Sequence, residues 1–429
     1  MSPTTSRALA LEVIRRVIDE GAYSSRLLPR LLARSGLDER DRAFASELAY
    51  GTLRRRLPLD AAIERQANRP LARMTVAAPH ALRLGAYQLL YTKVPPHAAV
   101  GETVALVSTR ERSFVNAVLR RIATAPPGVV EGDDDDALSV RTGMAAWAVR
   151  ELRRLLPGDE VEAAADAFAR RAPLCLRATR CTATVEQLEA ALRVTGNSIT
   201  RGTIDPDCVL VDRGDPTRLQ GFDAGWFAVQ DQSSAFVVRT LAARPGDRVL
   251  DVCAAPGGKA IAAACDVGPD GFVVAADVRP RRLALAAGEA RRQHVRVHLV
   301  AQDARAPALR GPFDRVLVDA PCSGVGSSRR RPELLWRIRK DELSVLARRQ
   351  VSIATTAADL LRPGGRLVYS VCTFPRAETD AACDAILRHR PDLREVPTPG
   401  PDGDAMRHRL WPHRHHSDGM FVAAFERGS

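Results

Sequence analysis

The stretch Arg248-Val249-Leu250-Asp251-Val252-Cys253-Ala254-Ala255-Pro256-Gly257-Gly258-Lys259 decides the fold. Val249, Leu250 and Val252 form a short apolar run that reads as a buried parallel strand. Pro256-Gly257-Gly258 then turns the chain into a helical pattern from Ala260 to Cys265. Strand, glycine turn and helix in this order build a ligand crevice at the carboxyl end of the first strand of an open α/β sheet. Glycine lets the backbone approach a ligand that a Cβ would push away. The next apolar run, Phe272–Ala276, ends in Asp277, 20 residues past Gly257 (277 − 257). An acid at that distance binds a ribose hydroxyl in such folds. The turn has neither G-x-G-x-x-G spacing nor a Walker pattern, which disfavours a dinucleotide and a cradled polyphosphate. A nucleoside without a pyrophosphate, such as S-adenosylmethionine, fits better. On this stretch alone, an ordinary glycine turn in a large α/β enzyme is an equal alternative.

Downstream, strands are predicted at Val249–Cys253, Phe272–Ala276, Val295–Val300, Arg315–Asp319, Leu367–Val371 and Phe421–Phe425. Helical patterns lie between them at Leu283–Gln293, Leu343–Leu361 and Glu378–Arg388. This alternation predicts a parallel sheet with helices on both faces. Asp277, Asp303 and Asp319 end strands or follow them directly. Any one of them could be a helix cap. Three in consecutive units beside the glycine turn favour a ligand site, with Asp303 suited to an adenine amino group. Two cysteines fall at the same edge: Cys322 after Asp319-Ala320-Pro321, and Cys372 at the end of Leu367–Val371. A thiolate there suits one chemistry in particular. Carbon 5 of cytosine is a poor nucleophile, but adding a thiolate to carbon 6 makes it an enamine carbon able to attack a methyl sulfonium. The other cysteines, Cys175, Cys181, Cys208, Cys265 and Cys383, read as small buried hydrophobes.

Upstream, residues 4–123 show apolar positions at helical spacing, among them Leu11, Ile14, Ile18, Leu48, Leu84, Val115, Val118 and Ile122. Arginines cluster here as Arg54-Arg55-Arg56 and as Arg110, Arg112, Arg120 and Arg121. Such clusters are solvated faces or RNA phosphate contacts. Pro126-Pro127-Gly128 and the acid run Asp133–Asp136 mark a linker. Four adjacent aspartates without spaced ligands read as a solvated loop, not a metal site. Two helices, then strands at Leu174–Thr179 and Val209–Val211, predict a small α/β module, with Arg177 and Arg180 as candidate RNA contacts.

The 429-residue chain, 45% apolar, is long enough for two or three domains and a sizeable core. It has no apolar run of about 18 residues, which argues against a membrane span, and no secretory pattern is visible. Eight cysteines without paired spacing or any C-x-x-C predict reduced thiols in a cytoplasm, with neither disulfides nor zinc. A net charge of +12 points to a polyanionic partner. The only lysines are Lys93, Lys259 and Lys340, which singles out Lys259 in the key turn.

Several segments carry a resemblance. Cys253–Lys259, Asp319-Ala320-Pro321-Cys322-Ser323-Gly324 and Tyr369-Ser370-Val371-Cys372-Thr373 resemble the RNA (cytosine-5) methyltransferases. Gly225–Ser234 and Asp418–Phe425 add support. Arg40–Phe44, Leu48–Arg54, Leu84–Leu90 and Phe114–Arg120 resemble the NusB-like helical RNA-binding domain. Together they resemble the bacterial 16S ribosomal RNA methyltransferase family known as Sun, Fmu or RsmB. The resemblance implies an all-α NusB-like domain at 1–124, a linker at 125–140 and a small α/β RNA-binding or connecting module at 141–227. A Rossmann-like S-adenosylmethionine-dependent methyltransferase domain follows at 228–429.

By resemblance, Cys372 is the nucleophile, Cys322 assists product release and Asp319 binds the cytosine edge. Cys253, Ala254, Ala255, Pro256, Gly257, Gly258, Lys259, Asp277, Asp303 and Asp319 bind S-adenosylmethionine; no metal is expected. Threonine usually precedes the nucleophile in this family and serine follows it; here they are Val371 and Thr373. His408, His413, His415 and His416 lack a matching ligand set and read as surface or RNA-facing. The expected partner is 16S ribosomal RNA, the expected location the cytoplasm and the expected state a monomer. The alternatives are the same chemistry on transfer RNA or another ribosomal RNA site, or a non-catalytic RNA-binding assembly factor.

Overall fold

Apolar residues at helical spacing fold the first third into helices, as predicted: Ser6–Asp19, Ser24–Ala33, Glu39–Arg54, Arg56–Ala67, Ala78–Tyr91, Pro96–Val104 and Thr109–Thr124. Thr5 and Asp38 cap the first and third of these through side-chain bonds to Ala8 N and Asp41 N. Ile14, Leu48, Leu53, Ile63, Leu84 and Val118 close their common core. The computed structural model describes residues 5–126, 128, 130–212 and 214–428. The chain divides into two units, one holding Met1–Arg171 with Ser328–Ile338, the other Ala172–Ser327 with Arg339–Ser429.

Three expectations about the first unit need correction. The acid run expected in a linker opens a helix, Asp135–Thr142. Asp134 caps it by accepting from Asp136 N and Ala137 N, and acids favour a helix N-terminus. The helices Ala146–Leu155 and Val161–Phe168, expected in the small module, belong to this unit, because Val149, Leu152, Ala165 and Phe168 turn an apolar face inward. Ser328–Ile338, expected in the methyltransferase domain, is also part of it. Buried Glu333 accepts from Ser24 N at 3.1 Å and Ser24 Oγ at 2.6 Å, and the Arg56 guanidinium lies 4.2 Å from the Trp336 ring centroid.

The second unit contains two sheets. Strands β1 (Leu174–Ala178), β2 (Ile199–Arg201), β3 (Cys208–Val211) and β4 (Phe227–Val229) form a small antiparallel sheet in the order β2-β3-β1-β4. Arg177 is buried there and donates to Gln230 Oε1 at 2.5 Å, so it is not an RNA contact. Cys181 and Cys265 form a disulfide, Cα–Cα 5.5 Å, correcting the expectation of reduced thiols throughout. Their sequence separation of 84 leaves no local spacing to read.

The large sheet comprises β5 (Arg248–Asp251), β6 (Phe272–Asp277), β7 (His298–Ala301), β8 (Phe313–Asp319), β9 (Leu361–Val371), β10 (Leu393–Val396), β11 (Arg407–Leu410) and β12 (Met420–Arg427). Its order is β10-β12-β9-β8-β5-β6-β7, with β11 also on β12. β5 to β9 are parallel, but β12 runs antiparallel to β9, β10 and β11. The sheet is therefore mixed, where a parallel one was expected. Open α/β sheets commonly carry an antiparallel edge, and β10 and β11 are too short to stand out as apolar runs. Among the described residues, no helix is long and apolar enough to cross a membrane.

Candidate active site

The parallel pairing of β8 and β9 sets Asp319 opposite Ser370. Cys322 lies three residues beyond the first and Cys372 two beyond the second, so both leave the sheet at one edge. Their sulfurs are 3.4 Å apart, and both side chains are half-buried. The contact with Cys372 and burial hold the Cys322 thiol well above its ordinary pKa.

Ser370 Oγ donates to Asp319 Oδ1 at 2.9 Å, and Lys259 Nζ lies 2.8 Å from Asp319 Oδ2. Burial works against the Lys259 charge, but Asp319, with a further contribution from Cys372, raises its pKa above the ordinary lysine value. The ammonium therefore stays charged, within electrostatic reach of Cys372. Lys259 was expected among the cofactor ligands; the structure also pairs it with Asp319, where its charge interacts with Cys372.

The loop after Cys322 is fixed by groups without a local sequence signal. Glu378 Oε1 accepts from Ser323 N at 2.8 Å and Gln350 Nε2 at 2.9 Å, and Glu378 Oε2 accepts from Ser323 Oγ at 2.5 Å. Thr373 Oγ1 lies 2.7 Å from Ser323 Oγ, so the threonine after Cys372 supplies the hydroxyl that a serine would. Gly326 N donates to Cys372 O at 3.1 Å, and Gly326 O accepts from Gly419 N at 2.8 Å. A Cβ on Gly326 would lie 2.2 Å from Gly419 O, so only glycine allows this approach. Asp418-Gly419 thus serves the site through the loop. Asp231 Oδ1 ties the Gly225–Ser234 segment to Asp418 N at 3.0 Å.

At the glycine turn, Gly257 has φ +108° and packs so closely on Ala286 that a Cβ would lie 2.7 Å away. Helix Gly258–Val267 starts there. Asp277 accepts from Arg279 N at 2.8 Å and Ala255 N at 3.3 Å, which fixes its carboxylate at the end of β6. Asp303 is held by Arg305, whose hydrogen bonds and charge bring its pKa down to about 2. Buried Asp251 has one oxygen, Oδ2, without a hydrogen-bond partner. Burial and then the Asp319 charge push its pKa up to about 7. An orphaned acceptor under the turn, with Asp277 beyond it, fits a ligand bearing both an ammonium and a ribose. Burial, with Asp251 adding to it, raises the Cys253 thiol pKa, so this cysteine lines the turn as a neutral group.

His408 and His415 correct the surface reading. Both are buried; His408 Nε2 lies 2.8 Å from Thr398 O, and His415 Nδ1 accepts from Trp411 N at 2.8 Å. His416 is exposed.

A mixed sheet whose parallel part carries a glycine turn after its first strand, acids at successive strand ends and two facing cysteines is the arrangement of an S-adenosylmethionine-dependent RNA methyltransferase. The family model "16S rRNA methyltransferase RsmB/F" matches residues 238–426, and that of the NusB family matches residues 4–124. The chain is 38% identical over 98% of its length to a Mycobacterium tuberculosis H37Rv protein named as a methyltransferase, covering 96% of it. It is 33% identical to Salmonella arizonae ribosomal RNA small subunit methyltransferase B, covering 97% of each chain. The crystal structure of PH0851 superposes with a TM-score of 0.82 at 24% identity, covering 100% of this chain and 99% of that one. A methyltransferase homologue from Pyrococcus horikoshii gives 0.59 at 25% identity, over 68% of this chain and 97% of that one. The chain belongs to the RsmB/F family of 16S ribosomal RNA methyltransferases, with a NusB domain ahead of the catalytic one.

Proposed function

We propose that this protein methylates carbon 5 of a cytosine in 16S ribosomal RNA through a covalent bond between Cys372 and carbon 6. The observation that carries this reading is the 3.4 Å approach of Cys322 and Cys372 at the ends of adjacent parallel strands. The raised Cys322 thiol and the Lys259 ammonium, whose charge interacts with Cys372, support Cys372 as the sulfur that ionises. Its thiolate adds to carbon 6, and carbon 5 then takes the methyl that S-adenosylmethionine supplies. Loss of the carbon 5 proton breaks the sulfur–carbon bond and restores the thiolate, a release that Cys322 assists. Asp319 holds the cytosine edge while its other contacts keep the carboxylate in place.

The cofactor residues are Cys253 to Lys259, Asp277, Asp303 and Asp319. Asp277 suits the ribose hydroxyls, and Asp303 must share its carboxylate with Arg305. The target base must leave its stack to reach the sulfurs. Arg110, Arg112, Arg120 and Arg121 are all exposed in the NusB domain, which supports phosphate contacts by that unit. Bisulfite mapping of ribosomal RNA from cells with and without the protein tests this reading. One protected cytosine in 16S RNA should vanish without the protein. An unchanged 16S map, or a change confined to transfer RNA, contradicts it.

A further inference from the structure

The first unit contains a cleft whose composition the chemistry above does not use. Arg54, Arg55, Arg170 and Arg171 line it together with Tyr87 and Tyr91. The two tyrosine rings stack with centroids 5.6 Å apart and planes 18° from parallel. Tyr91 is the outer ring and is 43% exposed. The Arg55 guanidinium lies 5.5 Å from its centroid.

The arginines are not equivalent. Arg55 and Arg170 both pair with Asp166, at 3.2 and 2.6 Å. Arg171 is exposed. Arg54 is only 8% exposed, and its Nε is buried without a hydrogen-bond partner. Glu47, also lining the cleft, offsets part of the Arg54 charge, but Glu47 Oε1 already accepts from Tyr87 OH at 2.5 Å. A buried guanidinium with an unused donor is unfavourable unless an anion arrives to meet it. A planar fork suits phosphate oxygens, and an exposed aromatic ring beside it suits a stacked base.

We propose that this cleft binds one nucleotide of single-stranded RNA, its phosphate on Arg54 and Arg171 and its base against Tyr91. The inference rests on the reading of the protein as an RNA methyltransferase and assigns part of its RNA grip to a defined place in the first unit.

The test uses the full-length protein and a fluorescently labelled single-stranded RNA of about ten nucleotides, within the span one such site covers. Arg171→Gln and Tyr91→Leu change exposed side chains, and thermal melting checks that each variant stays folded. Tyr91→Leu should weaken RNA binding about tenfold. Arg171→Gln should weaken it and lower the salt-dependence slope by about 0.7, the value for one lost phosphate contact on a single strand. Arg54→Lys, which keeps the charge and loses the fork, should fall between Arg171→Gln and wild type. Wild-type affinity and slope in both exposed variants overturn the proposal. So does equal competition by polyglutamate, which marks unspecific charge, or competition by inorganic phosphate that none of the variants alters. Methylation of 16S RNA is measured alongside. If wild type methylates it but the variants bind RNA normally, only the cleft assignment fails. If wild type does not methylate it while the variants lose RNA affinity, the proposed reaction fails and the cleft stands.

Discussion

Lys259 Nζ and Asp319 Oδ2 lie 2.8 Å apart, joining the turn after β5 to the end of β8. Lys259 is 12% exposed and Asp319 29%. One ion pair thus links the proposed cofactor turn to the residue proposed to hold the cytosine edge. It also keeps a cation within electrostatic reach of Cys372.

Replacing that cation tests whether it matters to chemistry. Lys259→Met removes one partner of a largely buried pair and a charge that interacts with Cys372. Methylation should slow by at least about 100-fold, equivalent to roughly 2.7 kcal/mol. The pH at which iodoacetamide begins to alkylate Cys372 should rise. An alkylation profile that coincides with wild type would show that Lys259 does not favour the thiolate.

Asp251 makes stability depend on pH. Its carboxyl pKa in the folded protein is about 7, above the ordinary carboxylate value. Between about pH 4 and pH 7 the folded form therefore holds a proton that the unfolded chain has released, so stability falls as pH rises through that window. Asp251→Asn should remove this fall and make the ligand-free protein more stable than wild type above pH 7, by up to about 4 kcal/mol. The two should converge near pH 4. Urea melts across this range give the difference directly, and a constant offset at every pH would contradict the assignment.

The sequence shows most of this site because its parts are local. Cys253–Lys259, Asp319–Ser323 and Ser370–Thr373 are short runs in which the strand end, the turn and the proposed reactive group are neighbours in the chain. Glu378 was not legible: its hold on Ser323 spans 55 residues and depends on how helix Glu342–Ala358 and β9 pack. Cys181 and Cys265 were misread for the same reason. Charge or polarity alone suggests RNA-facing roles for Arg177 and His415, whereas Gln230 and Trp411 bond them inside the fold. The excursion Ser328–Ile338 carries no signal either, since its apolar residues resemble those of any short helix.

The two acids proposed for the nucleoside should differ in weight. Asp277 is fixed by backbone donors and only 5% exposed, whereas Asp303 is shared with Arg305. Asp277→Ala should weaken S-adenosylmethionine binding by roughly 1.5–3 kcal/mol, the loss of a charged acceptor. Asp303→Ala should weaken it less. Calorimetry on both variants decides, and a larger loss for Asp303→Ala would reverse their proposed roles.

Glu378→Ala leaves Ser323 N and Gln350 Nε2 without their carboxylate in a buried place. Unfolding stability should drop by about 1–3 kcal/mol. Because the loop carrying Cys322 loosens while Cys372 stays on its strand, product release should slow more than adduct formation. Rapid-quench measurement of both steps checks this, and equal slowing would show that Glu378 does not act on Cys322 selectively.

The most direct test separates the two sulfurs on a denaturing gel with labelled RNA. Wild type should form a protein–RNA adduct when the target cytosine carries fluorine at carbon 5, because the proton that must leave is absent. With unmodified RNA, Cys322→Ala should accumulate the same adduct, since addition and methyl transfer proceed but release is slow. Cys372→Ala should form none with either RNA. An adduct with Cys372→Ala and none with Cys322→Ala would exchange the two roles, and no adduct from wild type on the fluorinated base, where unmodified RNA is methylated, would contradict covalent catalysis.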